Sequence, residues 1–154
     1  MKITIITIGK STKHEISQLI EDYSKRIKPD IEWIIIPHQT KTKLEEKIKK
    51  QESDLIITRL QSFKNAYKIL LDETGKIINS VDLADIINNV ADQSLNLIFI
   101  IGGSYGVSDD LKSKADFIWS ISKLVFPHQI IRLIIVEQIY RAICINQGSK
   151  YHHQ

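Results

Sequence analysis

Four arginines, Arg26, Arg59, Arg132 and Arg141, stand among the twenty-one basic residues of this 154-residue chain; the other seventeen are lysines. The Ile- and Lys-rich composition looks like that of an AT-biased coding genome. An arginine kept against that drift is a candidate for planar, bidentate contacts that lysine reproduces poorly; an ordinary surface or packing role is the alternative for each. Arg132 has a neighbour of use, because His128 lies one helical turn earlier. On a helix the two share a face, where an arginine can hold a phosphate and a histidine can donate or accept a hydrogen bond. The plainer reading of a histidine at a helix start is structural.

Two loops could present a ligand to these residues. Ile101-Gly102-Gly103-Ser104-Tyr105-Gly106 follows an apolar strand and precedes a helix, and its glycines let backbone amides approach a bound molecule. It is not the dinucleotide pattern GxGxxG, and a tight turn is its competing explanation. Ser120 to His128 is a second strand-to-helix segment, and in an open α/β sheet such loops line the ligand crevice. Gly9-Lys10-Ser11 invites a nucleotide P-loop reading, but the earlier glycine that the motif requires is Thr4, inside a strand, so nucleotide hydrolysis is rejected. At the terminus, Lys150-Tyr151-His152-His153-Gln154 sets an aromatic ring among cationic groups, which suits base stacking, or is a frayed polar end.

The elements that must position these loops follow from periodicity. Lys2–Ile8 reads as a strand and Ser11–Ile27 as an amphipathic helix, Ile31–Ile36 as a second strand between Pro29 and Pro37, and Lys41–Lys50 as a solvated start to a helix reaching about Leu60. Ala66–Leu71 is a third strand, Asp72–Gly75 a turn, and Val81–Val90 a helix capped by Ser80. Leu95–Ile101 is apolar at nearly every position, as in a strand covered on both faces in the middle of a parallel sheet. Ser108 caps a short helix, Phe117–Ile121 is a fifth strand, and a closing helix starts with Pro127 at its first position and runs to Asn146, stopped by Gly148. The expectation is an α/β fold with a mainly parallel sheet and flanking helices, in a single domain over residues 1–154. The closing helix is apolar around nearly its whole circumference, so one face should need a partner, and a homodimer is expected.

Composition excludes other classes. A net charge of +3 permits nucleic acid without requiring it, and 43% hydrophobic content builds a core. The lone Cys144 allows neither an internal disulfide nor a cysteine-built zinc site and reads as a core residue. No apolar run approaches the roughly 20 residues of a membrane span, and no leader pattern opens the chain, so a cytoplasmic location is expected.

Taken together, KITIITIGK at the start, LLDETGK (Leu70–Lys76), FIIGGSYG (Phe99–Gly106), SISKLVFPHQIIRLIIVEQIYRA (Ser120–Ala142) and the terminal YHH resemble the family of ribosomal RNA large subunit methyltransferase H, of the SPOUT class. The resemblance covers nearly the whole chain and is weakest over Lys41–Lys64. It implies methylation of N3 of a pseudouridine in 23S rRNA, a C-terminal trefoil knot, and a homodimer whose substrate is RNA within the ribosome. It also implies S-adenosyl-L-methionine held by Leu71, Gly102, Ile121, Ser122, Lys123, Leu124, Val125 and Phe126, and no metal. Tyr105 is given no role. His128 and Arg132 are the candidate catalytic residues, and Arg132, Arg141, Tyr151 and His152 the candidate RNA contacts. No carboxylate near the two loops is an obvious base. A catalytically silent RNA-binding dimer and a related methyltransferase acting on tRNA are the rival readings.

Overall fold

The computed structural model describes residues 1–10, 13–39 and 41–152. Five strands, β1 (Ile3–Ile8), β2 (Ile31–Ile36), β3 (Ala66–Ile77), β4 (Asn96–Ile101) and β5 (Phe117–Ser120), form one sheet in the order β2-β1-β4-β3-β5, every neighbouring pair parallel. Helices α1 (His14–Arg26), α3 (Ser80–Asp92) and α5 (His128–Asn146) cover one face, and α2 (Glu45–Leu60) and α4 (Asp109–Ser113) the other. The expected parallel α/β architecture is therefore present. The expected start of α1 at Ser11 lies outside the described residues.

The pleat sorts the side chains of the central strands. Leu97, Phe99 and Ile101 of β4 face α1, α3 and α5, while Ile98 and Ile100 face α2 and α4. All five are buried, as a central parallel strand requires. Parallel strands end on the same side of the sheet, so Gly9-Lys10, Pro37-His38, Gly102–Gly106 and Ile121–Phe126 all emerge along one edge.

Three local expectations change. The cap of α3 is Asn79, not Ser80: the Asn79 side chain accepts from the amides of Val81 and Asp82, and the Asp82 carboxylate accepts from the Asn79 amide. That reciprocal capping box satisfies more free amides than a serine one residue later could. Pro127 precedes α5 in an extended conformation and His128 is the first helical residue. Asp72–Gly75 is not a turn that ends β3 but a bulge within it, since both Leu71 and Lys76 pair with Trp119 of β5. Gly75 makes the return possible, because a Cβ there would come 2.6 Å from the Ile118 carbonyl oxygen. Gly148 ends α5 as expected, in the left-handed region at φ 65°, with the Ser149 amide bonded back to the Cys144 carbonyl.

Because the obstacle to a side chain at Gly75 is backbone rather than a flexible side chain, Gly75→Ala should destabilise the protein by roughly 1–3 kcal/mol. A urea titration with an unshifted midpoint would show that the β3–β5 contact is looser than this geometry.

Candidate active site

The loop after β4 is held from below by α2. Ser53 Oγ accepts the Ser108 amide at 2.9 Å, and Glu52 packs so closely under Gly103 that a Cβ there would overlap its carboxylate. A Cβ on Gly102 would instead strike the Val107 side chain. Packing beneath the loop thus explains both glycines sterically. The loop after β5 shapes itself through short-range bonds: Ser120 Oγ donates to the Ser122 carbonyl at 3.0 Å, and Ser122 Oγ accepts the Leu124 amide at 3.0 Å. Leu124 and Val125 are then left 72% and 85% exposed, an apolar pair on the surface of this loop.

Between these two loops and the β3 bulge lies a cavity of about 450 Å3, within the range of small-molecule sites. Of the eight residues expected to hold a cofactor, all but Lys123 line it. The rim is acidic, with Glu45, Glu46, Asp72 and Glu73. Burial pushes the Asp72 carboxyl up, but bonds from Thr74 and from Lys112, whose Nζ lies at 3.2 Å, outweigh it and hold the group below the usual carboxylate range. Asp72 is therefore a fixed negative charge. His128 and Ile131 reach the cavity from the first turns of α5.

A family profile described as "Predicted SPOUT methyltransferase" matches residues 1–152. The chain belongs to the SPOUT methyltransferase family. Proteins named "Ribosomal RNA large subunit methyltransferase H" align end to end with it: that of Christiangramia forsetii is 40% identical with all of both chains covered, and that of Clostridium tetani is 36% identical with 99% of each covered. Among solved structures, a putative methylase family protein from Neisseria gonorrhoeae matches 99% of this chain and 86% of its own at a TM-score of 0.59, with 11% identity. That likeness concerns the fold alone.

The site residues expected from the sequence divide into two groups. His128 and Arg132 do lie together at the cavity end of α5, but Arg132 is not placed as a phosphate ligand. It is 2% exposed, and its guanidinium donates to the carbonyls of Lys10 at 2.7 Å and Ile8 at 3.1 Å, tying α5 to the end of β1. A group so buried and so engaged is part of the frame. Arg141 and Tyr151 gather elsewhere, thirteen residues along α5, which at 1.5 Å per residue is about 20 Å from His128. There Glu137 receives two bonds from Arg141, at 3.0 and 2.6 Å, and one from the Tyr151 hydroxyl at 3.2 Å. The Arg141 guanidinium lies 4.9 Å from the centre of the Tyr151 ring, which meets Tyr140 edge-on. His152 follows with its Nδ1 buried and unpaired among the described residues, while His153 and Gln154 lie outside them.

Sequence reasoning missed Glu52 and His38. His38 Nδ1 lies 2.6 Å from Glu52 Oε1, and Glu52 is 1% exposed. The missed signal was spacing: Ile48, Glu52, Ile56 and Leu60 recur every four residues, so Glu52 occupies the apolar stripe of a helix of which only the start, Lys41–Lys50, reads as solvated. Among the described residues no group of three or more His, Cys, Asp or Glu side chains could hold a metal ion.

Burial holds the His128 imidazole below its ordinary value of 6.5, the Arg132 charge beside it adds to the effect, and Glu52 opposes it. The unfolded chain therefore takes up a proton near pH 6.5 that the native state refuses, so this site contributes stability above that pH and loses it as the pH falls. His128→Gln should flatten the decline of the urea midpoint between about pH 7 and about pH 5. A decline as steep as the parent's would place the acid-sensitive group elsewhere.

Proposed function

We propose that this protein transfers the methyl group of S-adenosyl-L-methionine to N3 of a pseudouridine in 23S rRNA, on the assembled ribosome in the cytoplasm. One observation carries the reading: in a chain matched from end to end by rRNA methyltransferase relatives, the strand-end loops enclose a cavity lined by the residues expected at the cofactor. The cavity suits that ligand chemically. S-adenosylmethionine carries an ammonium and a sulfonium against one carboxylate, and the acidic rim supplies the opposite charge. When bound, the cofactor supplies an already activated methyl group. The task left to the chain is alignment, exclusion of water and care of the acceptor proton. Leu71, Gly102 and the run from Ile121 to Phe126 would fix the donor, and the exposed Leu124 and Val125 would close over it. His128, uncharged at neutral pH, offers a neutral donor or acceptor beside the transfer point.

With the reading come a trefoil knot in the C-terminal half and a homodimer. Within one chain the Arg141–Tyr151 cluster stands too far from the cavity to meet the same substrate base, whereas a second copy can bring its own cluster to it. Arg141, Tyr151 and His152 are then the RNA contacts, with Arg132 supporting the loop. Ile130 and Ile134 of α5 are only half-buried and join neither core cluster, so they offer the uncovered apolar face. Ile139, by contrast, is wholly buried within its own chain.

Incubation with tritiated S-adenosylmethionine and ribosomes lacking the modification should place label in 23S rRNA as a base methylated at N3. Label in tRNA instead, or none in any RNA, would favour the tRNA enzyme or the silent binder. Light scattering should give twice the chain mass of 17.7 kDa, and Ile134→Asp should return the value to one chain while helical circular dichroism persists. A wild-type protein of single-chain mass would refute the dimer.

A further inference from the structure

A second hollow, of about 240 Å3, adjoins the cofactor cavity. Gly103, Ser104 and His128 line both spaces, and the rest of its wall is the end of β1 with Lys10, then His38, Gln129 and Arg132. A flat ring lying there would border whatever occupies the first cavity.

The chemistry of this hollow centres on His38. Its Nδ1 faces Glu52 Oε1, and its side chain is 47% exposed while that of Glu52 is 2% exposed. In the neutral imidazole a carboxylate partner at Nδ1 selects the tautomer with its proton on that nitrogen and the lone pair on Nε2. Nε2 points toward the end of β1, 3.6 Å from the position a Cβ on Gly9 would take. Histidine held by a buried carboxylate is the arrangement that orients a proton acceptor. A purely mechanical clip would not need it. Burying a carboxylate is unfavourable unless its oxygens are paired, yet among the described residues Glu52 Oε2 has no hydrogen-bond partner, and neither has the buried Nε of Arg132. Apolar side chains would pin the connection after β2 at lower cost.

We propose that the hollow receives the acceptor base and that His38 is the general base of the methyl transfer, with Glu52 as its positioning residue. The inference rests on the function proposed above. As the imide nitrogen forms its bond to the methyl carbon, the sulfur–methyl bond breaks, its electron pair stays on the sulfur as a neutral thioether, and the imide proton moves to His38 Nε2. The charged and titratable groups facing His38 are Glu52 from α2, Lys10 after β1, and His128 and Arg132 from α5, the last engaged with the carbonyls of Ile8 and Lys10.

The test is methyl transfer to unmodified ribosomes, with S-adenosylmethionine affinity measured in parallel by calorimetry. His38→Gln should lower kcat by at least about 100-fold with cofactor affinity unchanged. Its rate should climb by about tenfold per pH unit through the alkaline range where the parent is level, because the imide must then ionise unaided. His38→Ala should recover part of the lost rate on addition of free imidazole, which a folding defect would not allow. Glu52→Gln, which can still accept the Nδ1 proton, should lose about tenfold in kcat with little change in KM. Parental rate and pH profile in His38→Gln would overturn the assignment, as would loss of cofactor affinity in step with rate, which would make the pair a prop for the Gly102–Gly106 loop. If the parent protein itself methylates no RNA, this inference falls together with the function; if the parent is active and His38→Gln is indifferent, the inference alone falls.

Discussion

Burial of β1 and β4 on both faces is the constraint from which the rest of the molecule follows. Strands apolar at almost every position cannot face water, so helices must cover each side of the sheet. Covered parallel strands need crossover connections, and those connections return every strand in the same direction. The loops that carry polar and glycine-rich sequence are thereby collected along one edge, and the cavity is the gap left where the loops after β4 and β5 and the bulge of β3 fail to fill it. The location of the site is a consequence of the hydrophobic pattern before any side chain in it is considered.

Making that gap into a shaped site requires the loops to hold still, and three buried polar groups do this. Glu52 and Ser53 brace the loop after β4 from α2, and Arg132 draws the end of β1 against α5. Backbone carbonyls at a strand end lose their water when α5 packs over them, and an arginine returns the lost hydrogen bonds, although burial of its guanidinium opposes the charge and lowers its pKa. Removing the guanidinium would take the bond from the Lys10 carbonyl and leave the Ile8 carbonyl with only the Thr7 hydroxyl at 3.3 Å, so an arginine at this position of a lysine-rich chain has a structural cause. Among the described residues two buried atoms of this frame have no hydrogen-bond partner, Oε2 of Glu52, whose Oε1 meets His38, and Nε of Arg132.

Helix α5 connects the two chemically distinct ends of the molecule. Its first turns border the cavity through His128 and Ile131, its middle fills the core through Ile135, Val136 and Ile139, and its last turns carry the Glu137–Arg141–Tyr151 cluster. Burial, the hydrogen bond shared with Tyr23 and the charge of Glu137 push the Tyr151 hydroxyl well above its ordinary value, so it stays protonated and donates to Glu137. The cluster stands about 20 Å from the cavity along α5; in the dimer proposed above, a partner docked over the half-buried Ile130 and Ile134 would shorten the distance between one copy's tail and the other's site.

Much of this was determined by the sequence alone. Alternating strand and helix periodicity, the twice-covered β4, the Ser108 cap, the Gly148 stop and the loops after β4 and β5 all arise from interactions within a turn or from the period of apolar residues, and these are written locally. Local patterns also misled where two neighbours competed: Ser80 and Asn79 are both good caps, and only the return bond from Asp82 chose between them. The bulge at Asp72–Gly75 reads as a turn until β5 is laid beside it. What only the tertiary structure decided are the contacts between elements distant in sequence: the strand order that places β4 between β1 and β3, the Arg132 bonds that span 124 residues to Ile8, the union of His38 with Glu52, and the seating of Glu52 beneath Gly103. Such contacts depend on which surfaces meet once the sheet has formed, and no single segment's propensity encodes the identity of its eventual neighbour.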